Sequence, residues 1–247
     1  MKEIHVLHIS ETFVTGVYTY IQSICAITAN HNRIKTSIIY SPNREGTDDL
    51  DFENDFSDEI QLYPISMVRE VSPLKDYHSL QKLKKTIKQV QPDVIHLHSS
   101  KAGVLGRIAA KAYPKAKLFY TPHGYAFLRN DISPLKKIIF KSIEKLIAFT
   151  FKSTTLACGD NEHEIAKSFG DSILIRNGVL SSDVLPNHLN KNVQLKSIVT
   201  VGRISYQKNP KLFNAIALKF PRLKFIWIGD GELKHELNAK NIEVTGW

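Results

Sequence analysis

Cysteine, glycine and long apolar runs are all scarce in this sequence. Two cysteines among 247 residues cannot staple a small domain, so a disulfide scaffold is excluded. Twelve glycines are far too few for a collagen-like chain. No apolar run approaches the ~18 residues that a spanning helix needs. The opening Met-Lys-Glu-Ile-His-Val-Leu-His-Ile-Ser is too short and too broken by charge for a signal peptide, so the expected setting is the cytoplasm. Cys25 and Cys158 each sit in an apolar segment and read as two buried thiols of a reducing compartment. Neither a Gly-x-Gly-x-x-Gly fingerprint nor a Walker phosphate loop occurs, which removes the main support for a dehydrogenase or a P-loop enzyme.

What remains is a globular composition, 43% hydrophobic and 23% charged, with 33 basic against 24 acidic residues and a net charge of +9. Such an excess suits an acidic membrane surface or a nucleic acid. The lysines, however, spread over several helices without aromatic–basic interleaving, so no nucleic-acid partner is expected. Short runs rich in Ile, Val and Phe alternate with segments of helical period, the pattern of βαβ units around a parallel sheet. Strands are expected at Ile4–Ile9, Lys35–Tyr40, Val94–His98, Lys117–Thr121, Thr154–Ala157, Ile173–Arg176, Ser197–Gly202, Lys224–Gly229 and Ile242–Gly246, most of them buried on both faces.

Two Ser-Pro pairs, Ser72-Pro73 and Ser133-Pro134, open helices by supplying an N-cap and a first-turn proline. The first should bury Leu74, Tyr77, Leu80, Leu83, Ile87 and Val90, and end at Gln91-Pro92. The second should bury Leu135, Ile138, Ile139, Ile143, Leu146, Ile147 and Thr150. The acidic stretch from Glu45 to Glu59 reads as an exposed loop, without the glycine spacing of a calcium site. A polar, Asn-rich stretch at 181–194 separates two βα series, giving two α/β domains, residues 1–180 and 195–247. The second holds only three strands, half of a doubly wound sheet, so its edge and faces should be incompletely covered.

Candidate chemistry gathers at strand ends. Gly16 lies where the first strand passes into an apolar helix, and there it serves either as an ordinary turn residue or to admit an anion to the helix N-terminus. His96 and His98 share one strand face but have no Cys or acidic partner at ligand spacing, so hydrogen bonding is expected rather than a metal. Ser99 and Ser100 can cap the following helix, expected over 102–112. His123, in Tyr120-Thr-Pro-His-Gly, can hold a sugar hydroxyl, act electrostatically or cap its loop. Arg203 and Lys208, five residues apart around a turn, can both reach one pyrophosphate.

Six segments, Thr15–Ile21, Pro92–Gly103, Thr121–Gly124, Ile175–Val179, Val201–Pro210 and Ile228–Glu232, stand in the order found in glycosyltransferase family 4, which the chain resembles over essentially its whole length. The family comprises retaining transferases with two facing Rossmann-like domains, the GT-B fold. The His-Gly-Tyr-Ala-Phe-Leu-Arg loop resembles that of bacterial members building capsule, exopolysaccharide or O-antigen on a lipid carrier. The resemblance implies that Gly16, Arg203 and Lys208 meet the donor diphosphate and that His123 is catalytic, near the transferred sugar. It further implies a donor-side loop at Gly229, Gly231 and Glu232, and acceptor or loop contacts at Ser99, Lys101 and Arg129. A nucleoside-diphosphate sugar is the expected donor, with no cofactor or metal, since side chains replace the cation. The expected acceptor is a saccharide or lipid-linked saccharide, with peripheral contact at the inner face of the membrane. Thr15 departs from the pattern, standing where many members have glycine. The family's later Pro-Ser loop, Gly-rich stretch and paired-glutamate motif are absent, so the second domain is expected to be incomplete. The competing readings are a non-catalytic truncated relative and a sugar-nucleotide epimerase of the same architecture.

Overall fold

The computed structural model describes residues 3–29, 31, 33–43, 50, 52–178 and 197–247. The stretch at 181–194, Val179, and positions 45–49 and 51 of the acidic run lie outside the described residues. The chain divides into two compact units, residues 1–128 with 135–184, and residues 129–134 with 185–247.

Unit 1 carries a seven-stranded sheet. Its elements run β1 (Ile4–Ser10), α1 (Thr15–Ala29), β2 (Ile34–Tyr40), α2 (Phe52–Asp55), β3 (Gln61–Pro64), α3 (Pro73–Val90), β4 (Val94–His98), α4 (Ser100–Ala110), β5 (Lys117–Thr121), α5 (Pro134–Thr150), β6 (Thr154–Ala157), α6 (Asp160–Lys167) and β7 (Ser172–Leu174). Spatial order is β3-β2-β1-β4-β5-β6-β7 with every pairing parallel. Strand order reverses between β1 and β4, and the crevice at the carboxyl ends of those strands is where such sheets bind ligands.

Leu7, Ile9, Ile95 and Leu97 are fully buried at the sheet centre, as the continuous apolar runs of β1 and β4 require. β3 was not expected: its four residues end in Pro64, and a short strand with proline is tolerated because β3 lies at the sheet edge. The described part of the acidic stretch is no mere loop. It forms α2, and Phe52 and Phe56 stack on Phe13, so two aromatic residues hold the acidic segment to the sheet.

Both Ser-Pro helices form; α3 buries or packs its expected stripe from Leu80 onward, whereas α5 turns most of its stripe outward. In α3, Leu74 and Tyr77 are exposed, whereas Ser79, Leu83 and Ile87 face inward. The Ser79 hydroxyl bonds the carbonyls of Ser66 and Lys75, which pins that i, i+4 row to the core. Ser72 sits at the N-cap position, but its hydroxyl makes no cap bond; its backbone N–H donates instead to Asp76 Oδ2 at 3.1 Å.

In α5, Leu135, Ile138, Ile139, Leu146 and Phe149 are exposed, Phe149 by 85%, while Glu144 and Ile147 are buried. The cause is a buried charge. Arg107 of α4 is 2% exposed, lies 4.0 Å over the Tyr120 ring, and donates from Nε to Ser153 Oγ at 3.0 Å. Glu144 meets its Nη1 at 3.5 Å, an ion-pair contact without hydrogen-bond geometry, and accepts from the Tyr120 hydroxyl at 2.9 Å. An unpaired buried guanidinium costs more than exposed leucine, so the Glu144 face turns inward and the aliphatic stripe, half a turn away, turns out. Burial raises the Glu144 carboxyl above its usual range despite Arg107.

Unit 2 contains β8 (Ser197–Val201), α7 (Pro210–Lys219), β9 (Lys224–Ile228) and β10 (Ile242–Gly246) in a parallel sheet of order β10-β9-β8. Phe225 and Trp227 are buried, with Phe213 of α7 edge-on to both. Val199 and Val201 are exposed, so these strands alternate rather than run fully buried as expected, because one face carries the packing. Asn209 caps α7 through Oδ1, which accepts from the Leu212 N–H at 3.2 Å. Among the described residues no helix is long and apolar enough to cross a membrane.

Candidate active site

The β1/β4 crevice of unit 1 is built from strand-end residues whose backbones are strained. Thr15 (φ 50°), Ser99 (φ 75°) and His123 (φ 51°) all occupy the left-handed region that favours glycine. Thr15 is β-branched and exposed, so this chain bears a conformational cost at that position. Gly16 beside it has open space: a Cβ there would meet nothing within 4 Å, so packing does not demand glycine at that position.

At the sheet centre, β1 and β4 pair with His8 opposite His96 and Ser10 opposite His98. These residues therefore share a face. His8 Nδ1 lies 3.0 Å from His98 Nε2, and His98 Nδ1 lies 3.1 Å from His123 Nε2. His96 turns aside to Thr121, with Nε2 to Oγ1 at 2.8 Å. His8, His96 and His98 also bring ring nitrogens within 4.8 Å of one another, the third ligand that the His96/His98 pair lacked in sequence. His96 and His98 thus make hydrogen bonds through their ring nitrogens, as expected of them.

Burial lowers His8 and His123 to about 4, and His96 and His98 well below the usual imidazole range, so all four rings are neutral at pH 7. Tyr20 of α1 packs edge-on to His123 with ring centres 4.8 Å apart and to His98 at 5.8 Å. Its hydroxyl, pushed up to about 12 by burial, stays protonated.

The loop after β5 is tied from α6. One Glu162 oxygen accepts from the Gly124 N–H at 2.8 Å and the other from the Cys158 N–H at 2.7 Å. His123 is thus held on both sides, by its ring and by the next peptide. Ser99 sits at the N-cap of α4, which begins at Ser100 rather than Ala102, but makes no side-chain cap bond. Its buried Oγ has no partner among the described residues. Lys101 is committed elsewhere: Nζ reaches both Asp76 oxygens at 2.7 Å and the Glu70 carbonyl at 2.8 Å, joining α4 to α3. Cys25 is buried as expected, whereas Cys158 is only partly so; both thiols are free, and burial raises them to about 12 and about 11.

In unit 2, Arg203 and Lys208 stand on the connection from β8 to α7. Arg203 Nε meets Glu232 Oε2 at 3.4 Å, with both side chains about half exposed. The Lys208 side chain lies against Gly202, Cε being 3.3 Å from where a Cβ would stand. Gly229 and Gly231 are close-approach glycines: a Cβ would fall 2.3 Å from the Gly202 carbonyl oxygen and 2.4 Å from that of Ile204. The two loops are therefore clasped together, which sets the Arg203–Glu232 pair. Arg129, in the same unit, forks onto Asp131, with Nε to Oδ1 at 2.9 Å.

His8, Tyr20 and Glu162 were missed in sequence. The signal for His8 is its register with His96, which only strand pairing discloses, while Tyr20 lies inside the Thr15–Ile21 segment already singled out.

Residues 39–158, just under half of the chain, match the family model described as "Glycosyl transferase 4-like", and together with the relatives below this match supports a family 4 glycosyltransferase with the fold of GT-B structures. The chain is 34% identical over 215 residues to the UDP-Gal:alpha-D-GlcNAc-diphosphoundecaprenol alpha-1,3-galactosyltransferase of Escherichia coli, an alignment covering 74% of this chain and 54% of that enzyme. The chain spans about half the length of the curated relatives it matches. Among solved structures, Anabaena HepE in complex with UDP and glucose shares the fold with a TM-score of 0.69 and 16% identity, over 99% of this chain and 70% of that one. The UDP-GlcNAc 2-epimerase of Neisseria meningitidis shares it with a TM-score of 0.60 and 15% identity, over 99% and 72%.

Proposed function

We propose that the chain serves retaining transfer of a sugar from a nucleoside diphosphate to a lipid-linked saccharide, in the synthesis of a cell-surface polysaccharide at the cytoplasmic face of the membrane. The observation that carries this reading is His123. It stands on a strained, doubly anchored loop at the carboxyl end of β5, in a chain 34% identical to an enzyme named for transfer to a diphosphoundecaprenol-linked sugar.

In this reading unit 1 receives the acceptor and unit 2 the donor. Arg203 and Lys208 offset the charge that grows on the departing diphosphate, the task a divalent cation performs elsewhere. The acceptor hydroxyl attacks the anomeric carbon on the face that the diphosphate vacates. One C–O bond breaks as the other forms, and the hydroxyl proton passes to the leaving phosphate oxygen beside it. His123, neutral at pH 7, hydrogen-bonds the transferred sugar rather than acting as a cation. Gly16 lets the diphosphate approach α1, and the clasped Gly229–Glu232 loop borders the donor.

The exposed stripe of α5 supports membrane contact. Leu135, Ile138, Ile139, Leu146 and Phe149 face solvent on a helix that also carries Lys136, Lys137, Lys141 and Lys145. That combination suits an anionic lipid surface.

The test is transfer of labelled galactose from UDP-galactose to GlcNAc-diphosphoundecaprenol, with the anomeric configuration of the product read by NMR. Lipid-extractable label with the donor's configuration supports the reading, and inversion refutes the retaining step. Conversion of UDP-GlcNAc to its 2-epimer without acceptor would favour an epimerase. Absence of nucleotide binding would favour a non-catalytic binding protein.

A further inference from the structure

Within the described part of unit 1, three histidines, from within β1, the end of β4 and the loop after β5, form one continuous chain of hydrogen bonds. We propose that His8 and His98 are positioning residues: the bonds from His8 Nδ1 to His98 Nε2 (3.0 Å) and from His98 Nδ1 to His123 Nε2 (3.1 Å) set the tautomer and orientation of His123. The role of His123 in transfer rests on the function proposed above, whereas the chain itself does not.

A neutral imidazole has one N–H and one bare nitrogen. His98 uses both nitrogens on other histidines, so it must donate to one neighbour and accept from the other. The two bonds therefore run in the same direction. If His8 donates, His98 donates on to His123, whose own proton is then on Nδ1; if His123 donates from Nε2, His98 donates to His8. No third arrangement satisfies both bonds while the rings are neutral, and burial keeps them so. The state of His8 Nδ1 thus fixes the state of His123 Nε2, one whole residue away.

The geometry favours a rigid chain. His8 and His98 are inclined by 29°, and His98 and His123 by 21°, so successive rings are close to parallel. His98 is fully buried and His8 nearly so. Tyr20 closes the side of the chain by packing on both His98 and His123. His96 is the natural contrast: it is buried and its ring centre is 4.0 Å from that of His98, but its Nε2 bonds Thr121 Oγ1, outside the chain. A chain of imidazoles also differs from the usual carboxylate support. It orients His123 without adding negative charge, so it leaves the ring neutral instead of making it a stronger base.

The experiment uses the 247-residue chain labelled with 15N-histidine and long-range 1H–15N correlation of the ring nitrogens at pH 7.5. Wild type is expected to show His123 as a single tautomer, with its protonated and bare nitrogens well separated. His8→Phe should move His123 toward the averaged pattern of a free imidazole, while His96→Phe, which removes a packing neighbour but no link, should leave it in place. The ring of His163, bonded to Ser172 Oγ at 2.8 Å in α6 and β7, reports whether unit 1 has folded. If His8→Phe fails by that criterion, His8→Gln replaces it. The glutamine amide can donate or accept and so removes the directional bias, and mixed tautomers at His123 are again expected.

A mixed His123 in wild type, or a His123 moved by His96→Phe and not by either His8 variant, would overturn the chain. So would a Zn2+ titration that shifts His8, His96 and His98 together, since the cluster would then be a metal centre. In the transfer assay His8→Phe should lower kcat about 10- to 100-fold with the donor KM unchanged. Mixed tautomers with unchanged kcat would uphold the chain and refute the role of His123 in transfer.

Discussion

Acidification should unfold unit 1 before unit 2. His8 and His123 are held to about 4 by burial, whereas in the unfolded chain each titrates near 6.5. Between those values the unfolded state binds more protons than the folded one, so stability rises with pH across this window and levels off above about pH 7. At pH 5 the unfolded histidines are almost fully protonated and the folded ones almost bare, which costs the fold about 2 kcal/mol per residue and about 4 kcal/mol for the two. His96 and His98, lowered further, act in the same direction. A loss of that size is a large share of the roughly 5–15 kcal/mol that holds a domain folded. With a urea slope of about 1–3 kcal/mol per molar, the midpoint of unit 1 should fall by about 2 M between pH 7.5 and pH 5. Both tryptophans, Trp227 and Trp247, are in unit 2, so their fluorescence follows the unit that lacks the cluster. Near-UV circular dichroism in the tyrosine band follows unit 1, which holds all the tyrosines but Tyr206. If the tyrosine midpoint shifts no more than the tryptophan midpoint, the four rings are not buried and neutral as described.

Thr15→Gly should stabilise unit 1 by about 1 kcal/mol, because removing a β-branched side chain at φ 50° relieves more strain than the added freedom of the unfolded chain costs; urea melts at pH 7.5 measure it. Arg107→Met should destabilise by about 3 kcal/mol by leaving Glu144 buried without its cation, and Arg107→Met with Glu144→Leu should recover most of that loss in the same assay. In sedimentation with vesicles containing anionic phosphatidylglycerol, Leu146→Glu with Phe149→Glu should reduce binding at least about tenfold. Equal binding by both proteins would remove α5 from the membrane contact.

Strand positions were legible as short β-prone runs between polar turns, even in β10, whose residues alternate in exposure. The expected Val94–His98, Lys117–Thr121 and Ile242–Gly246 are the observed β4, β5 and β10, because apolar runs bounded by polar turns leave little choice of register. Helix faces were less legible. The stripe through Leu135 and Ile138 was expected to be buried on period alone, but the inward face of α5 is chosen by Arg107, a residue on another helix whose burial no local pattern announces. The site divides in the same way. His123 stood out from its place after a strand, and His96 and His98 from their spacing, but the chain joining them needs the pairing of β1 with β4 and a left-handed backbone at His123. Glu162 could not be found locally at all, since it holds Gly124 from 38 residues away.

The claim that unit 2 is a donor half is tested most directly by titrating UDP into the 15N-labelled chain. The account predicts shifts concentrated at Gly202, Arg203 and Lys208 and at Gly229–Glu232, with Arg203→Ala and Lys208→Ala each weakening the titration about 10- to 100-fold, the scale of a lost charge-assisted hydrogen bond. Signals that stay in place, or that move only elsewhere and equally in the variants, would contradict it.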